Sequence, residues 1–225
     1  MGRAGVDRRA SPPVAESEFD LYGVSIPLDA AITDVRGGKA IADGSVQMKF
    51  RTTKIPGVME IDLQKISDER GFFARTWCQR EFQNQGLNPK LVQCSTSFNL
   101  RSGTLRGMHY QNPPFAEAKL VRCTRGAIHD VVLDLRSESV TFRQWIAIRL
   151  SPADGKMIYI PEGCAHGFLT LQDETEVFYQ MSQVYSPDAA CGVRWNDPAF
   201  KIAWPGNINV ISERDRTYCD FEGHE

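Results

Sequence analysis

The sequence predicts an all-β fold, a sandwich, jelly roll or barrel with a few short helices. Three observations predict it. From residue 50 onward, β-rich runs are separated at near-regular intervals by Gly, Pro, Asn, Asp and Ser. Eighteen glycines and 12 prolines in 225 residues provide for many turns. Helices alternating with strands, which a parallel α/β sheet requires, are missing.

Residues 1–47 stand apart. They hold no Cys, Trp or His, and Pro12-Pro13 and Gly37-Gly38 break them, so they read as a flexible N-terminal extension. One apolar stretch in it, Phe19 to Leu28, is a candidate for docking on the domain or a partner. Gly38-Lys39 lacks the glycine spacing and the following Ser/Thr of a phosphate loop. Strand-like sequence follows Met48 directly, so the folded domain is expected over 48–225. Val58 to Ile61 reads as a short strand. A turn at Asp68-Glu69-Arg70 leads into a strand over Gly71–Trp77. A helix is predicted from Gln79 to Gln85, ending at Gly86 as its C-cap. The remaining predicted strands are Leu91–Phe98, Lys119–Thr124, Ala127–Leu135, Trp145–Leu150, Met157–Ile160, Gly167–Leu171 and Glu176–Val184. No internal repeat has a fixed period.

Apolar residues make up 42% and charged residues 24%, near globular averages, which excludes whole-chain disorder and fibrous or collagen-like repeats. A net charge of -2 gives no broad attraction for nucleic acid. No run approaches the ~18 apolar residues of a membrane span, and the N-terminus has no apolar signal core. Cysteines 78, 94, 123, 164, 191 and 219 form no CxxC pair. They are expected to be reduced, mostly buried thiols of a cytoplasmic protein.

Four histidines stand at 109, 129, 166 and 224. A metal-binding β-barrel commonly offers two histidines one residue apart, then a carboxylate, then a third histidine. Here the position two after His109 is Gln111, and Glu117, near where a carboxylate ligand would fall, lies in a Pro-rich loop. Too few nitrogen ligands converge, so no metal is expected. Arg106 and Lys119 flank His109, and basic residues beside a histidine suit an anionic substrate with a titratable catalytic group. On a regular strand Gln111 shares the face of His109 while Arg106 takes the other, unless a bulge at Gly107 intervenes. His166 either pins the turn after Pro161 or binds substrate. His129 reads as a strand residue, and His224 is assigned no role. Tyr179 and Tyr185, six apart, share a face if they lie on one strand. They line the barrel with hydroxyls toward water, or one donates a proton and the other stacks; the sequence leaves both readings open.

Seven motifs, in order and in register, closely resemble the dTDP-4-dehydrorhamnose 3,5-epimerase family over about residues 54 to 216. They are Asp68–Phe73, Thr104–Gln111 (TLRGMHYQ), Lys119–Arg122, Asp130–Arg136, Pro161–Phe168 (PEGCAHGF), Trp195–Pro198 and Trp204-Pro205. The resemblance implies a cupin-type β jelly roll, a homodimer, and no metal or organic cofactor. It implies epimerisation of a nucleotide-diphosphate-linked 4-keto-6-deoxyhexose at the carbons beside the ketone. By the same resemblance His109 is the base, Tyr179 the proton donor, Asp215 the acid that orients the base, and Lys119 the cation near the keto oxygen. Arg70, Arg106, Gln93 and His166 bind substrate, and Tyr185 stacks on it.

Three departures bear on specificity. Arg75 stands where the family pattern often carries Glu, an acidic residue is missing near Ala190, and Gln93-Cys94-Ser95 replaces a more usual Gln-Asp/Val-Asn. They leave open which nucleotide sugar is used, and whether C3 and C5 or only C3 is inverted. A non-catalytic sugar-binding cupin and a metal-dependent cupin are the competing functions, because this fold hosts many.

Overall fold

A computed structural model describes residues 47–221. The expected extension, apart from Gln47, lies outside the described residues, as does His224. In chain order the elements are β1 (Lys49–Thr52), β2 (Met59–Asp62), β3 (Ile66–Asp68), β4 (Gly71–Phe73), α1 (Gln79–Asn84), β5 (Gln93–Asn99), β6 (Thr104–Gln111) and β7 (Lys119–Arg125). There follow β8 (Ile128–Asp134), β9 (Trp145–Leu150), β10 (Lys156–Ile160), β11 (Cys164–Thr170), β12 (Thr175–Met181), β13 (Ala190–Gly192), β14 (Val210–Ile211) and α2 (Glu213–Arg216).

Twelve of the described strands build two six-stranded sheets, as the jelly-roll expectation requires, and β3 and β4 pair apart as a two-stranded ribbon. The first has the order β1-β2-β10-β7-β12-β5; the second has β13-β6-β11-β8-β9, with β14 added to β6. All ladders are antiparallel except the short β14–β6 pair. Alternation along each strand divides the side chains between two faces. Val121, Ile158, Ile160 and Val177 of the first sheet meet Ile128, Val132, Leu150 and Phe168 of the second in one buried cluster. Each such side chain, fully buried, contributes about 1.5–3 kcal/mol.

The opposite residues of the first sheet, Met59, Ile61, Leu120, Met157 and Tyr159, bury a second cluster beneath α1. Phe82 anchors that helix, with its ring edge-on to Phe50 and Tyr159 at 5.5 and 5.8 Å. Gly86 follows the helix at φ +69, the left-handed conformation a C-terminal glycine supplies. A third cluster, Met108, Val131, Leu133, Ala165, Val193 and Phe200, packs the C-terminal segment on the second sheet.

Two predicted strands are too long. The one expected over Gly71–Trp77 stops at Phe73, because its sole partner, β3, offers three residues. The one expected over Glu176–Val184 stops at Met181, where both neighbours end, β5 at Gln93 and β7 at Lys119. Tyr185 therefore leaves the strand that carries Tyr179. All six cysteines are unpaired, as expected, but only Cys123 and Cys164 are buried, and Cys94 and Cys219 are exposed. Cys94 lies between the inward-facing Gln93 and Ser95, so alternation turns it out. Burial pushes the Cys123 and Cys164 thiols up to about 11 and about 12.

Asp134 closes β8 and fixes the loop after it. Its carboxylate accepts bonds from Arg136 Nε at 2.7 Å, Ser139 Oγ at 2.6 Å and Thr141 Oγ1 at 2.7 Å. Burial alone would raise this carboxyl; the donors outweigh it and hold it at about 2. An unfolded Asp titrates near ~3.9, so the stabilisation is fully present above that pH and is lost as pH falls through about 2. The difference is worth about 2–3 kcal/mol. Asp134→Asn should lose roughly that much stability at pH 7. Its urea midpoints should also change less than those of the wild type between pH 4 and pH 2.

Candidate active site

The site begins with an irregularity in β6. His109 pairs with His166 of β11, and Arg106 pairs with Phe168, so three steps on β6 oppose two on β11. This is the bulge that the parity of the sequence left open. It sets Arg106 on the same face as His109, because His166 and Phe168 share a face. Glycines permit it. Gly107 has φ +135, and a Cβ there would lie 2.4 Å from the Gly167 Cα. Arg106 Nε donates to the buried Asn99 at 2.7 Å.

Toward one end of the two sheets lies a cavity of about 320 Å³. The first sheet contributes Gln93, Ser95, Lys119, Tyr179 and Met181; the second contributes His109, Tyr110, Gln111, Ala190 and Cys191. Glu117, Tyr185 and Arg214 complete the wall.

His109 Nε2 lies 2.7 Å from Asp215 Oδ1. Asp215 is buried on α2, and its other oxygen accepts the Gly107 N–H at 3.2 Å. The Asp215 N–H in turn donates to Ser212 Oγ at 3.1 Å, the N-cap that starts α2. Burial would raise the Asp215 carboxyl, but the bonds from His109 and Gly107 and from Ser212 hold it below the usual carboxylate range. The carboxylate therefore stays ionised and fixes the imidazole with Nε2–H toward Asp215. That tautomer leaves the Nδ1 lone pair as the basic position. The ring of Tyr218 stands edge-on to His109 at 6.3 Å.

Lys119 Nζ lies 3.0 Å from Glu117 Oε1 and donates to the His109 carbonyl at 3.4 Å. Tyr179 is cross-strand from Ser95, and Lys119 is cross-strand from Met181, two residues further on, so both share the cavity face. Tyr185 lies in the loop after β12, yet reaches the same cavity, and its N–H donates to Gln93 Oε1 at 2.9 Å.

Three predicted binding residues lie outside the cavity wall. Arg106 is held by Asn99. His166 is buried, with Nε2 2.8 Å from Asp130 Oδ2. Arg70 is exposed on the β3–β4 ribbon and paired with Asp68. Of the departures, Arg75 bonds Glu81 at 2.8 Å, and Ala190 lies in the cavity wall.

Sequence reasoning missed Arg214, Cys191 and Glu117 as site residues. Arg214 was signalled by its place beside Asp215; Glu117 was weighed only as a metal ligand. Among the described residues no group of three or more His, Cys, Asp or Glu side chains is placed to hold a metal ion. Among them also, no helix is long and apolar enough to cross a membrane.

Fold and site together define a cupin-type epimerase: a jelly roll whose cavity sets an Asp-oriented histidine against tyrosine and lysine. The family model described as dTDP-4-dehydrorhamnose 3,5-epimerase matches residues 52–223, and the chain belongs to that family. It is 39% identical over 170 residues to the Sinorhizobium fredii dTDP-4-dehydrorhamnose 3,5-epimerase, covering 75% of this chain and 87% of that one. It is 40% identical to the Methanothermobacter thermautotrophicus enzyme of the same name, covering 76% and 94%. The crystal structure of the Bacillus anthracis dTDP-4-dehydrorhamnose 3,5-epimerase, with TDP and pyrophosphate bound, superposes with a TM-score of 0.75. It is 35% identical and covers 78% of this chain and all of that one.

Proposed function

We propose that the protein inverts C3 and C5 of dTDP-4-dehydro-6-deoxyglucose, giving dTDP-4-dehydrorhamnose. The observation that carries this reading is the His109–Asp215 pair on one wall of a cavity that has Tyr179 and Lys119 on the opposite sheet.

Hydrogens on C3 and C5 flank the C4 ketone, so removal of either leaves an enolate. Nδ1 of His109 takes the proton, and a positioned base is worth roughly 10²–10⁴-fold. The electron pair moves onto the C4 oxygen, where the Lys119 ammonium meets the developing charge. Tyr179 then donates its phenolic proton to the opposite face of the carbon, which completes inversion. Proton exchange with solvent resets both residues. Asp215 stabilises the imidazolium, as in other His–Asp pairs. Every step is a proton transfer beside a carbonyl, so the mechanism calls for no metal or organic cofactor. Gln93 and Tyr185 are placed to hold the base and sugar, and Arg214 in the cavity wall offers a fork for the diphosphate. His166, backed by Asp130, borders the same face through its pairing with His109. Six unpaired thiols favour a cytoplasmic location.

The test is incubation with dTDP-4-dehydro-6-deoxyglucose in deuterated water, with label read at C3 and C5 by NMR. Label and inversion at both carbons are expected. Label at C3 alone would reduce the reaction to a 3-epimerisation, and no label would overturn the reading.

The same reading makes the protein a homodimer. The β3–β4 ribbon exposes Ile66, Phe72 and Phe73 at 52%, 60% and 64%. A two-stranded ribbon is marginal alone, and with Ile66 and Phe73 on one face and Phe72 on the other it needs a surface to cover it. We assign that surface to a second copy, whose cavity then receives Arg70. Light scattering should give a dimer. Mixing inactive Arg70→Ala and His109→Ala chains should restore activity, because one site of each mixed dimer keeps both residues. A fully active monomer, or a mixture that stays inactive, would contradict this.

A further inference from the structure

We infer that Glu117 is a positioning residue for the reaction: it holds the Lys119 ammonium where the enolate oxygen forms. This inference rests on the proposed epimerase reading. Glu117 and Lys119 are two residues apart, yet only Lys119 belongs to a strand, since β7 begins there. Both side chains turn into the cavity, with 9% and 12% of their surface exposed. An ammonium on a four-carbon stem has many rotamers, and a single donor to a carbonyl at 3.4 Å defines it poorly. The carboxylate at 3.0 Å supplies the second fixed point. Two of the three N–H bonds are then committed, to Glu117 and to the His109 carbonyl, and the third is left to the cavity.

The carboxylate is itself held. Gln111 Nε2 lies 3.3 Å from Glu117 Oε2, and donates to the Phe115 carbonyl at 2.9 Å. Gln111 Oε1 accepts the Ser186 N–H at 2.7 Å, which binds it to the loop that carries Tyr185. Glu117 thus stands at the centre of a chain, Lys119–Glu117–Gln111–Ser186, that connects the cation at the reacting carbonyl to the loop bearing the stacking aromatic. Each link is at least partly buried, where a polar contact is stronger than in water and a missing one is costly. The carboxylate also neutralises Lys119 before the reaction. A lone buried ammonium would bind any anion presented to it; a paired one is drawn fully only by the oxygen on which charge develops. The gain therefore falls on the transition state more than on substrate binding.

The test compares Glu117→Gln, Lys119→Met and the double variant, with label uptake from deuterated water as the rate and the melting temperature as the check on folding. Glu117→Gln should lower kcat by roughly ten- to a hundredfold, the range for a misplaced catalytic group, while KM changes less than about threefold. In the Lys119→Met background the same substitution should cause no further loss, because a residue that acts through Lys119 has nothing left to act on. Glu117→Asp, which keeps the charge but withdraws it by one methylene, should also lose about tenfold and covers the case of a poorly folding Gln variant. Wild-type kcat in Glu117→Gln, or a loss that adds fully to that of Lys119→Met, would overturn the inference. An inactive wild type would instead overturn the epimerase reading itself.

Discussion

His109→Ala is expected to abolish label uptake at both C3 and C5 while the fold survives. Its side chain is partly exposed in the cavity, so its removal leaves the three buried clusters untouched. No other histidine lines the cavity wall, and the nearest, His166, is committed to Asp130. The loss should reach roughly 10²–10⁴-fold, the contribution of a positioned general base. Asp215 is left with one partner fewer, a buried carboxylate still served by the Gly107 N–H, so a modest fall in melting temperature should accompany the loss. Exchange at wild-type rate in this variant would remove His109 as the base.

Tyr179→Phe should separate proton removal from inversion. The tyrosine lies on the sheet opposite His109, so its hydroxyl is placed to serve the face the base does not reach. The Phe variant should still wash deuterium into substrate through reversible action of His109. It should give little inverted product, because the enolate is reprotonated on the face it left. If Tyr179 only lined the cavity, Phe would keep the ring and the packing against the core, and one lost hydroxyl would be worth about 1 kcal/mol or less. One NMR time course distinguishes these outcomes. Unchanged product formation would pass the role to Tyr185, which lines the same cavity.

Much of the site was legible because its residues lie in contiguous motifs. His109, Arg106 and Gln111 sit within eight residues of one strand, and Lys119 opens the next. The bulge was legible as an alternative only, since Gly107 permits a backbone that nothing in the local sequence compels. It also needs Gly167 on the neighbouring strand, 60 positions away, whose bare Cα leaves room for Gly107 to approach. Asp215 could be matched by motif, but its 2.7 Å bond to His109 spans 106 residues and depends on α2 folding back over β6. Glu117 was hidden for the same reason: in a Pro-rich loop it was weighed only as a metal ligand, and its 3.0 Å contact with Lys119 is set by how that loop turns inward.

By itself, then, the sequence determined the all-β class, most strand positions and the family, because alternation, turn residues and motif spacing are local properties. Only the tertiary structure decided where strands stop and which side chains meet. Gly71 to Trp77 and Glu176 to Val184 both have the composition of longer strands, yet a ladder lasts only as far as its partners do. The loop thereby freed after Met181 is what brings Tyr185 into the cavity from outside the sheet. Pairing between distant segments sets these limits, and no window of neighbouring residues contains it.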